Sequence, residues 1–164
     1  MSDAQDLRHQ FWSELSSTPF VMLGIAGVDD GHSQPMAAQF DDDLPDEIYF
    51  YTNVQNRLVK GMKQSTKGVF HFASKGHDFY ASGQGTLSTT KDRALIERFW
   101  SPIVAAWYDE GPDDPDLVML KLDLTQAELW NNSTGTFVAS MLYALTGDRA
   151  DKVAQEENAT VRFG

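Results

Sequence analysis

Short β-rich segments, each bounded by turn residues, recur along the chain and constrain its fold more than any other feature. Asp29, Asp30 and Gly31 predict a tight turn between the first two segments, with glycine available for a positive φ. Pro35 lies inside the second segment and predicts a sheet edge or a bulge there, because proline has no N–H to donate. The strands are predicted over residues 20–28, 33–40, 47–52, 69–73, 79–87 and 117–130. Six or seven short, mostly antiparallel strands with intervening helices indicate a mainly β protein built as a small closed barrel.

Helical periodicity accounts for the segments around these strands. Leu7, Phe11 and Leu15 are spaced four residues apart and predict an amphipathic helix over residues 4–16. Further helices are predicted over 54–66, with Asn53 as N-cap, and over 136–146. Another is predicted after Thr90 as a possible cap, and it carries Leu95, Ile96, Phe99 and Trp100. The polar residues 148–164 are expected to form a peripheral tail. We expect one domain over residues 1–164, with the barrel over 20–130.

Composition excludes several classes of protein. The 164 residues include no cysteine, so neither a disulfide framework nor thiolate chemistry is expected. The polar, acidic start of the chain is unlike a signal peptide, and no apolar run approaches the roughly 18 residues of a membrane span. The four histidines are scattered, and none has metal-ligand spacing. We therefore expect a soluble cytoplasmic protein without a bound metal.

Basic residues are concentrated in one part of this acidic chain. The sequence has 24 acidic and 13 basic residues, yet no Asp or Glu occurs between Ile48 and His77. The basic residues of this window are Arg57, Lys60, Lys63, Lys67 and Lys75. A confined positive patch in a repulsive background favours a small anionic ligand. Nucleic acid needs an extended basic face, which this chain lacks, so we expect no nucleic-acid partner.

The strand end and helix start inside this window have the features of a phosphate site. Helix N-termini offer unpaired N–H groups and the positive end of a dipole. Thr52 and Asn53 add a hydroxyl and an amide, and Arg57 can donate two hydrogen bonds to a phosphate. A solvated basic helix face would give the same pattern, so the residues alone leave both interpretations open.

Several short motifs follow one another in the order and spacing of a known family. They are Phe20 to Leu23, the Asp30-Gly31 turn, Pro35 to Gln39, Tyr49 to Asn53, Trp100 to Pro102, Ala106 to Tyr108, Gly111, Asp113 to Pro115 and Ala127 to Trp130. Over nearly its whole length the chain resembles the general stress protein branch of the pyridoxamine 5'-phosphate oxidase-like family, whose members are FMN-binding split β-barrels.

The resemblance implies a homodimer that binds FMN at its subunit interface. The strand with Met36, Ala37, Ala38 and Gln39 would run along the flavin ring and present backbone groups to it. The turn and helix start would hold the phosphate, through a set comprising Tyr51, Thr52, Asn53, Asn56, Arg57 and Lys60. Trp130 would approach the flavin from the partner subunit.

The chain departs from the family pattern at this expected site. Asn56, Arg57 and Leu58 stand where the family has Ser-x-Lys or Ser-Arg-Lys, and Gln34 replaces an arginine before Pro-Met. Two expected cations are missing, which would weaken FMN binding or favour another cofactor, such as deazaflavin F420 or haem. The Arg-x-His motif of true pyridoxamine phosphate oxidases is absent after Trp130, which argues against vitamin B6 oxidation.

The resemblance predicts a flavin-dependent oxidoreductase whose small-molecule substrate the sequence does not identify. No side chain stands out as a catalytic acid or base, so at this point the chain is an enzyme or a non-catalytic flavin binder and stress sensor. A barrel that has lost its ligand and acts as a dimeric interaction module is a third interpretation. His71, within a predicted strand, is interpreted as a surface histidine rather than a haem ligand.

Overall fold

Seven antiparallel strands with short flanking helices make up the computed structural model, which describes residues 3–64, 66–132, 144–145 and 157–164. The helices are α1 (Asp3–Ser17), α2 (Arg57–Gly61), α3 (Arg93–Arg98) and α4 (Pro102–Ala105). The strands are β1 (Phe20–Ile25), β2 (Gln34–Ala37), β3 (Glu47–Asn53), β4 (Thr66–Ala73), β5 (Phe79–Thr90), β6 (Leu117–Asn131) and β7 (Glu157–Arg162). None of the described helices is long and apolar enough to cross a membrane.

The strands follow the order β2-β1-β4-β5-β6-β3, and β7 pairs with the far half of β6. β6 is long enough to serve two partners, because Leu117 to Asp123 pair with β3 and Gln126 to Asn131 pair with β7. The ring closes through an isolated bridge in which Gln39 and Tyr49 exchange two backbone hydrogen bonds of 2.8 Å. β2 and β3 separate beyond this bridge, so the barrel is split along one seam.

Two apolar clusters lie on the two faces of the closing strands. The larger fills the barrel with the inward side chains of alternating strand residues, among them Leu23, Ile48, Phe50, Phe70, Phe79, Leu87 and Leu122. α1 packs on this cluster through its buried face, where the Phe11 ring lies 5.9 Å from the Phe70 ring. The smaller cluster comprises Tyr49, Ile96, Leu117 and Met119, and α3 contributes to it from outside the barrel. β3 is therefore held on both faces.

The fold class predicted from the sequence is confirmed. The strands are antiparallel and form a mainly β split barrel, α1 confirms the helix expected over residues 4–16, and β2 with Pro35 lies at a sheet edge. Asp92, rather than Thr90, caps α3, since its side chain accepts hydrogen bonds from the Ala94 and Leu95 amides.

The helix expected over residues 54–66 is wrong in both length and cap. α2 has five residues, and its N-cap is Asn56, whose Oδ1 accepts a 2.9 Å hydrogen bond from the Leu58 amide. Asn53 instead closes the turn before the helix, where its Oδ1 accepts a 2.7 Å bond from the Gln55 amide. The chain leaves helical conformation at Met62, which is extended.

The peripheral tail expected over residues 148–164 is wrong in its final part. β7 adds a strand to β6, and Val161 and Phe163 are buried in the main cluster with 6% and 8% exposure. Their alternation with exposed Thr160 and Arg162 is that of a half-buried strand. Residues 148–156, and the helix expected over 136–146 apart from 144–145, lie outside the described residues.

Candidate functional site

The seam between β2 and β3 is lined by backbone groups. The Ala38 amide donates to the Pro19 carbonyl at 2.7 Å, so Ala38 is hydrogen-bonded on the β1 side. Because successive residues of an antiparallel strand point their backbone groups to opposite sides, the amide and carbonyl of Ala37 point away from β1 and towards β3. On the other side, the Leu124 amide donates to Asp46, and the same alternation turns the backbone groups of Tyr51 away from β6 and towards β2. We call this space, between Ala37 and Tyr51, the β2–β3 gap.

A side-chain network borders the open end of the β2–β3 gap. Gln34, at the start of β2, donates from Nε2 to Asn56 Oδ1 at 3.2 Å and to Met36 Sδ at 3.3 Å. Its Oε1 accepts from Arg57 Nε at 3.3 Å. Gln34 thus connects the edge strand to the start of α2. The structure thus links Met36 through Gln34 to Asn56 and Arg57, which lie 20 or more residues later in the sequence.

Arg57 is held against the end of the β1–β2 hairpin. Its guanidinium donates to the carbonyl oxygens of His32 at 3.5 Å and Ser33 at 3.4 Å, in addition to the bond with Gln34. These distances are at the outer limit for hydrogen bonds, so an anion with better geometry can compete for the same N–H groups. Arg57 remains exposed to solvent, which makes it accessible to a ligand entering the gap.

At the expected phosphate site, the dipole and free amides of the helix start contribute less than the sequence indicated. A five-residue helix has a small dipole, and the Asn56 side chain already satisfies its Leu58 amide. Lys60 is exposed and lies on the same face as Arg57, three residues further on. The positive character of the site therefore comes from side chains.

The basic window does not form one continuous patch. Lys67 and Lys75 are both exposed, but they lie near opposite ends of β4 and eight residues apart, which spans about 26 Å in an extended strand. Lys75 therefore lies apart from residues 48–68, the strand–turn–helix stretch that carries the other four basic residues of the window. The residues that stay near the gap are Arg57 and Lys60.

Tyr51 contributes its backbone to the gap, whereas its side chain and the backbone of Thr52 serve the fold. The Tyr51 hydroxyl donates to the Ile96 carbonyl, and the Thr52 carbonyl accepts a 2.9 Å bond from the Tyr108 hydroxyl. Burial raises the pKa of Tyr51 and of Tyr108 to about 12. Thr52 itself is buried, with 7% exposure. Tyr108 was not predicted as a site residue, since its role depends on a contact across 56 positions of sequence.

Trp130 lies far from the other predicted site residues within one chain. It is the cross-strand partner of Tyr80 in β5 and of Asn158 in β7, and it is partly exposed. Tyr51 pairs with Met119 of β6, and Trp130 lies 11 residues further along the same strand, about 36 Å in an extended chain. The structure therefore does not bring Trp130 to the β2–β3 gap of its own subunit.

An exposed sheet face with apolar residues lies between these two regions. Met22, His71, Ser82 and Glu128 are cross-strand neighbours on β1, β4, β5 and β6. Phe20 and Met22 are 60% and 42% exposed, which is unusual for large apolar side chains that sit together on a sheet. The His71 Nδ1 lies 3.2 Å from Ser82 Oγ. We call this surface the outer face.

The closed ring of antiparallel strands, with its seam between β2 and β3, defines a split-barrel protein. Residues 6–152 match the family described as pyridoxamine 5'-phosphate oxidase like. The chain therefore belongs to this family.

Solved structures of general stress proteins are similar to this chain. A Xanthomonas citri protein described as a general stress FMN/FAD-binding protein is 42% identical, with a TM-score of 0.75 over 79% of this chain and 92% of that one. A general stress family protein from Xanthomonas campestris pv. campestris is 43% identical, with a TM-score of 0.76 over 82% and 92% of the two chains. General stress protein 26 from Jannaschia sp. CCS1 is 34% identical, with a TM-score of 0.79 over 97% and 99%.

A curated fungal relative is more distant. The chain is 24% identical over 125 residues to Protein bli-3 of Neurospora crassa, and this alignment covers 70% of the chain. It spans 60% of the length of bli-3.

Proposed function

We propose that this chain is a homodimeric FMN-binding protein that acts as a flavin-dependent oxidoreductase on a small molecule. The observation that carries the proposal is the β2–β3 gap, where the backbone groups of Ala37 and Tyr51 face each other beside the Arg57 guanidinium. The edge of an isoalloxazine ring carries both hydrogen-bond donors and acceptors, which such backbone groups can match. The ribityl phosphate needs a cation nearby, and Arg57 supplies one.

Each part of the site has a separate task in this proposal. Ala37 is exposed and has a small side chain, so a flat ring can approach the strand closely. Gln34 and Asn56 hold Arg57 at the end of the gap, where its N–H groups would bind the phosphate. When bound, FMN supplies the redox chemistry, and the protein orients it and shields it from water.

The positions of Trp130 and the outer face support the proposed homodimer. Trp130 is too far along the sheet to reach the gap of its own subunit, so a contact with the flavin requires a second copy. The exposed Phe20 and Met22 give that copy an apolar surface on which to pack. The Xanthomonas citri relative, described as FMN/FAD binding, supports a flavin as the ligand.

A non-catalytic flavin binder is the second candidate, and one observation favours it. The tyrosine hydroxyls nearest the gap, those of Tyr51 and Tyr108, donate to backbone carbonyls, and burial raises the pKa of both to about 12. Neither hydroxyl is suited to proton transfer near neutral pH. Substrate recognition would then depend on ring stacking and backbone groups.

The binding test is an FMN titration of the flavin-free protein, followed by flavin fluorescence. We expect saturable binding that Arg57→Ala weakens at least tenfold, because each charge-assisted hydrogen bond contributes roughly 1.5–3 kcal/mol. Arg93→Ala is the matched control, since it removes an arginine that pairs with Glu97 on α3. Equal FMN affinities for the wild type and Arg57→Ala would contradict a phosphate site at Arg57. If the wild type does not bind FMN but binds haem or F420, that ligand replaces FMN as the proposed cofactor.

Anaerobic addition of NADH or NADPH to the FMN-loaded protein separates the two candidate functions. Bleaching of the flavin absorbance, followed by reoxidation on addition of an electron acceptor, would establish an oxidoreductase. Bound flavin that stays oxidised with both donors, under conditions that reduce a known flavoenzyme, would favour the non-catalytic binder.

A further inference from the structure

The helix α4 is wholly apolar, yet it is not buried. Residues 102–107 have the sequence PIVAAW, and no residue of α4 is buried, whereas α1, α2 and α3 each bury at least one side chain. Ile103 and Trp107 are 79% and 80% exposed, which is more than Phe20 or Met22 on the outer face. A helix that is apolar all round is normally covered, so this one marks a surface that binds something.

Ile103 and Trp107 form a single patch. The helical turn continues beyond the end of α4, because the Ala106 amide donates to the Pro102 carbonyl at 3.2 Å and the Trp107 amide donates to the Val104 carbonyl at 3.0 Å. Ile103 and Trp107 are four residues apart in this turn, so their side chains are neighbours on one side of it. We call this pair the α4 patch.

A short chain of contacts connects the α4 patch to the β2–β3 gap. Tyr108, the residue after Trp107, is anchored to β3 by the 2.9 Å bond from its hydroxyl to the Thr52 carbonyl. The Tyr108 ring lies 6.2 Å from the Trp100 ring, which lies 6.0 Å from the Tyr51 ring. Tyr51 is the residue whose backbone faces the gap. The α4 patch is therefore on the β3 side of the gap.

Exposed apolar side chains thus flank the gap on both sides. On the β2 side, Phe20 is the cross-strand partner of Ala37, whose backbone lines the gap. On the β3 side is the α4 patch. A flat apolar molecule that enters the gap from solvent can contact aromatic rings there, and each buried aromatic face adds to its affinity.

Acidic residues follow the α4 patch directly along the chain. Five of the eight residues 109–116 are acidic, and a 2.9 Å bond from the Val54 amide to the Asp116 carbonyl holds this segment at the end of β3. Arg93 pairs with one of the five, Asp113. The remaining negative charge disfavours an anionic molecule beside Trp107 and does not disfavour a neutral one.

We propose that the α4 patch is the wall of the flavin site that recognises the substrate, and that it selects flat apolar molecules without negative charge. This inference rests on the proposed function, because the substrate is the molecule that exchanges electrons with a flavin in the gap. Trp107 provides an aromatic face, Ile103 extends it, and Asp109 and Glu110 repel anions. The patch acts through binding alone.

The experiment is a pair of calorimetric titrations into the FMN-loaded protein, with naphthamide and naphthoate as probes. The two probes share one ring system and differ in the charge of a single substituent. The visible spectrum of the flavin, recorded during each titration, reports whether the probe lies against the flavin. We expect saturable binding of naphthamide with a change in this spectrum, and binding of naphthoate that is weaker by about tenfold at low salt.

Substitutions at Trp107 test the aromatic face. Trp107→Ala should weaken naphthamide binding about tenfold, whereas Trp107→Phe, which keeps an aromatic ring, should weaken it by less than about threefold. Both variants should bind FMN like the wild type, because the gap and Arg57 are unchanged.

Substitutions in the acidic segment test the selection against anions. The double variant Asp109→Asn with Glu110→Gln should bring the affinities for naphthamide and naphthoate closer together. Its matched control is Asp3→Asn with Asp6→Asn, which removes two carboxylates from the first turn of α1 and should leave the difference between the probes unchanged.

The outcomes separate this wall from the flavin site. A wild type that binds FMN but not naphthamide overturns the wall alone, and so does a Trp107→Ala variant that binds naphthamide as tightly as the wild type. If Trp107→Ala dissociates a dimeric protein, as measured by light scattering, the patch is a contact between subunits and the inference is also overturned. If the wild type does not bind FMN, the wall and the proposed function fail together.

Discussion

Gly85 occupies a position in β5 that has no room for a side chain. The register shifts here, with Gln84 opposite Gln126 and Gly85 opposite Leu124, so Thr125 is the extra residue of a bulge in β6. A Cβ built on Gly85 would lie 2.1 Å from the Asp123 carbonyl oxygen, a backbone atom that cannot rotate away. The bulge separates the half of β6 that pairs with β3 from the half that pairs with β7.

We expect Gly85→Ala to lower the free energy of unfolding by about 3 kcal/mol, as measured by urea denaturation. Gly76→Ala is the control, because its added Cβ would meet a side chain rather than the backbone, that of Asp78, at 3.1 Å. It should change stability by less than about 1 kcal/mol. Equal stability of Gly85→Ala and the wild type would show that the backbone at the bulge moves freely.

Tyr108 links the segment after α4 to β3, and its ionisation makes stability depend on pH. Burial raises its pKa to about 12, above the value near 10 of an unfolded tyrosine, so the neutral form is favoured in the folded state. Its stabilising contribution is complete below pH 10 and is lost as the pH rises from 10 through 12. Urea denaturation between pH 8 and 11.5 should show this loss.

Tyr108→Phe should have two separable effects. At pH 8 it should cost about 1 kcal/mol, because the Thr52 carbonyl loses its hydrogen bond. Above pH 10 the stability of this variant should decline less steeply than that of the wild type. Some decline remains, because the pKa of Tyr51 is also raised by burial. A decline of unchanged slope would exclude Tyr108 as a source of the alkaline instability.

At the scale of elements, β7 contributes to the core despite its position at the end of the chain. Phe163 follows it and contacts the rings of Phe11 and Trp12 on α1. We expect Phe163→Ala to destabilise the protein by about 3–4 kcal/mol, measured by urea denaturation, because it leaves a cavity beneath α1. Arg162→Ala, on the exposed side of the same strand, should stay within about 0.5 kcal/mol. Similar losses for both variants would mean that β7 acts through its backbone alone.

The elements that could be predicted from the sequence are those with a strong local pattern. α1 has a clear apolar stripe, and β3, β5 and β6 have long alternating or apolar runs. α2 was overestimated because Val54, Leu58 and Met62 have helical spacing, although the chain is helical only over Arg57–Gly61 and is extended at Met62. β7 was missed because its polar outward residues and its position at the chain end suggested a tail, although Val161 and Phe163 alternate with them.

The candidate site could be predicted only in part, for a similar physical reason. The motif residues Met36, Asn56 and Arg57 each form a hydrogen bond with Gln34. Gln34 was interpreted as a lost cation, yet it is the residue that connects them, and only the antiparallel pairing brings it to α2. The gap itself consists of backbone groups, which leave no residue signature in a sequence.

At the scale of the whole molecule, net charge disfavours association of two copies, whereas exposed apolar surface favours it. Each chain carries a formal net charge of −11, so two copies repel one another. Phe20 and Met22 on the outer face must therefore gain enough from burial to overcome that repulsion, at roughly 25 cal/mol per Å² of apolar surface. Association of the chain should consequently strengthen with salt, which screens the repulsion beyond about 10 Å at 0.1 M.

We expect the wild type to be a dimer by size-exclusion chromatography with light scattering, and Met22→Asp to be a monomer. A carboxylate in the middle of the outer face adds both a desolvation cost and a like-charge repulsion across the interface. The monomer should also bind FMN more weakly, because in the proposed dimer Trp130 of one subunit contacts the flavin of the other. FMN affinity is therefore a second readout of the same surface.

Ala94→Asp is the matched control for this prediction, since it adds the same charge to an exposed position of α3, away from the outer face. It should leave both the mass and the FMN affinity unchanged, and circular dichroism should show that both variants are folded. A folded Met22→Asp protein that remains dimeric would exclude the outer face as the interface. If Met22→Asp is monomeric and binds FMN as tightly as the wild type, Trp130 does not contribute to flavin binding. The gap would then bind its ligand within a single subunit.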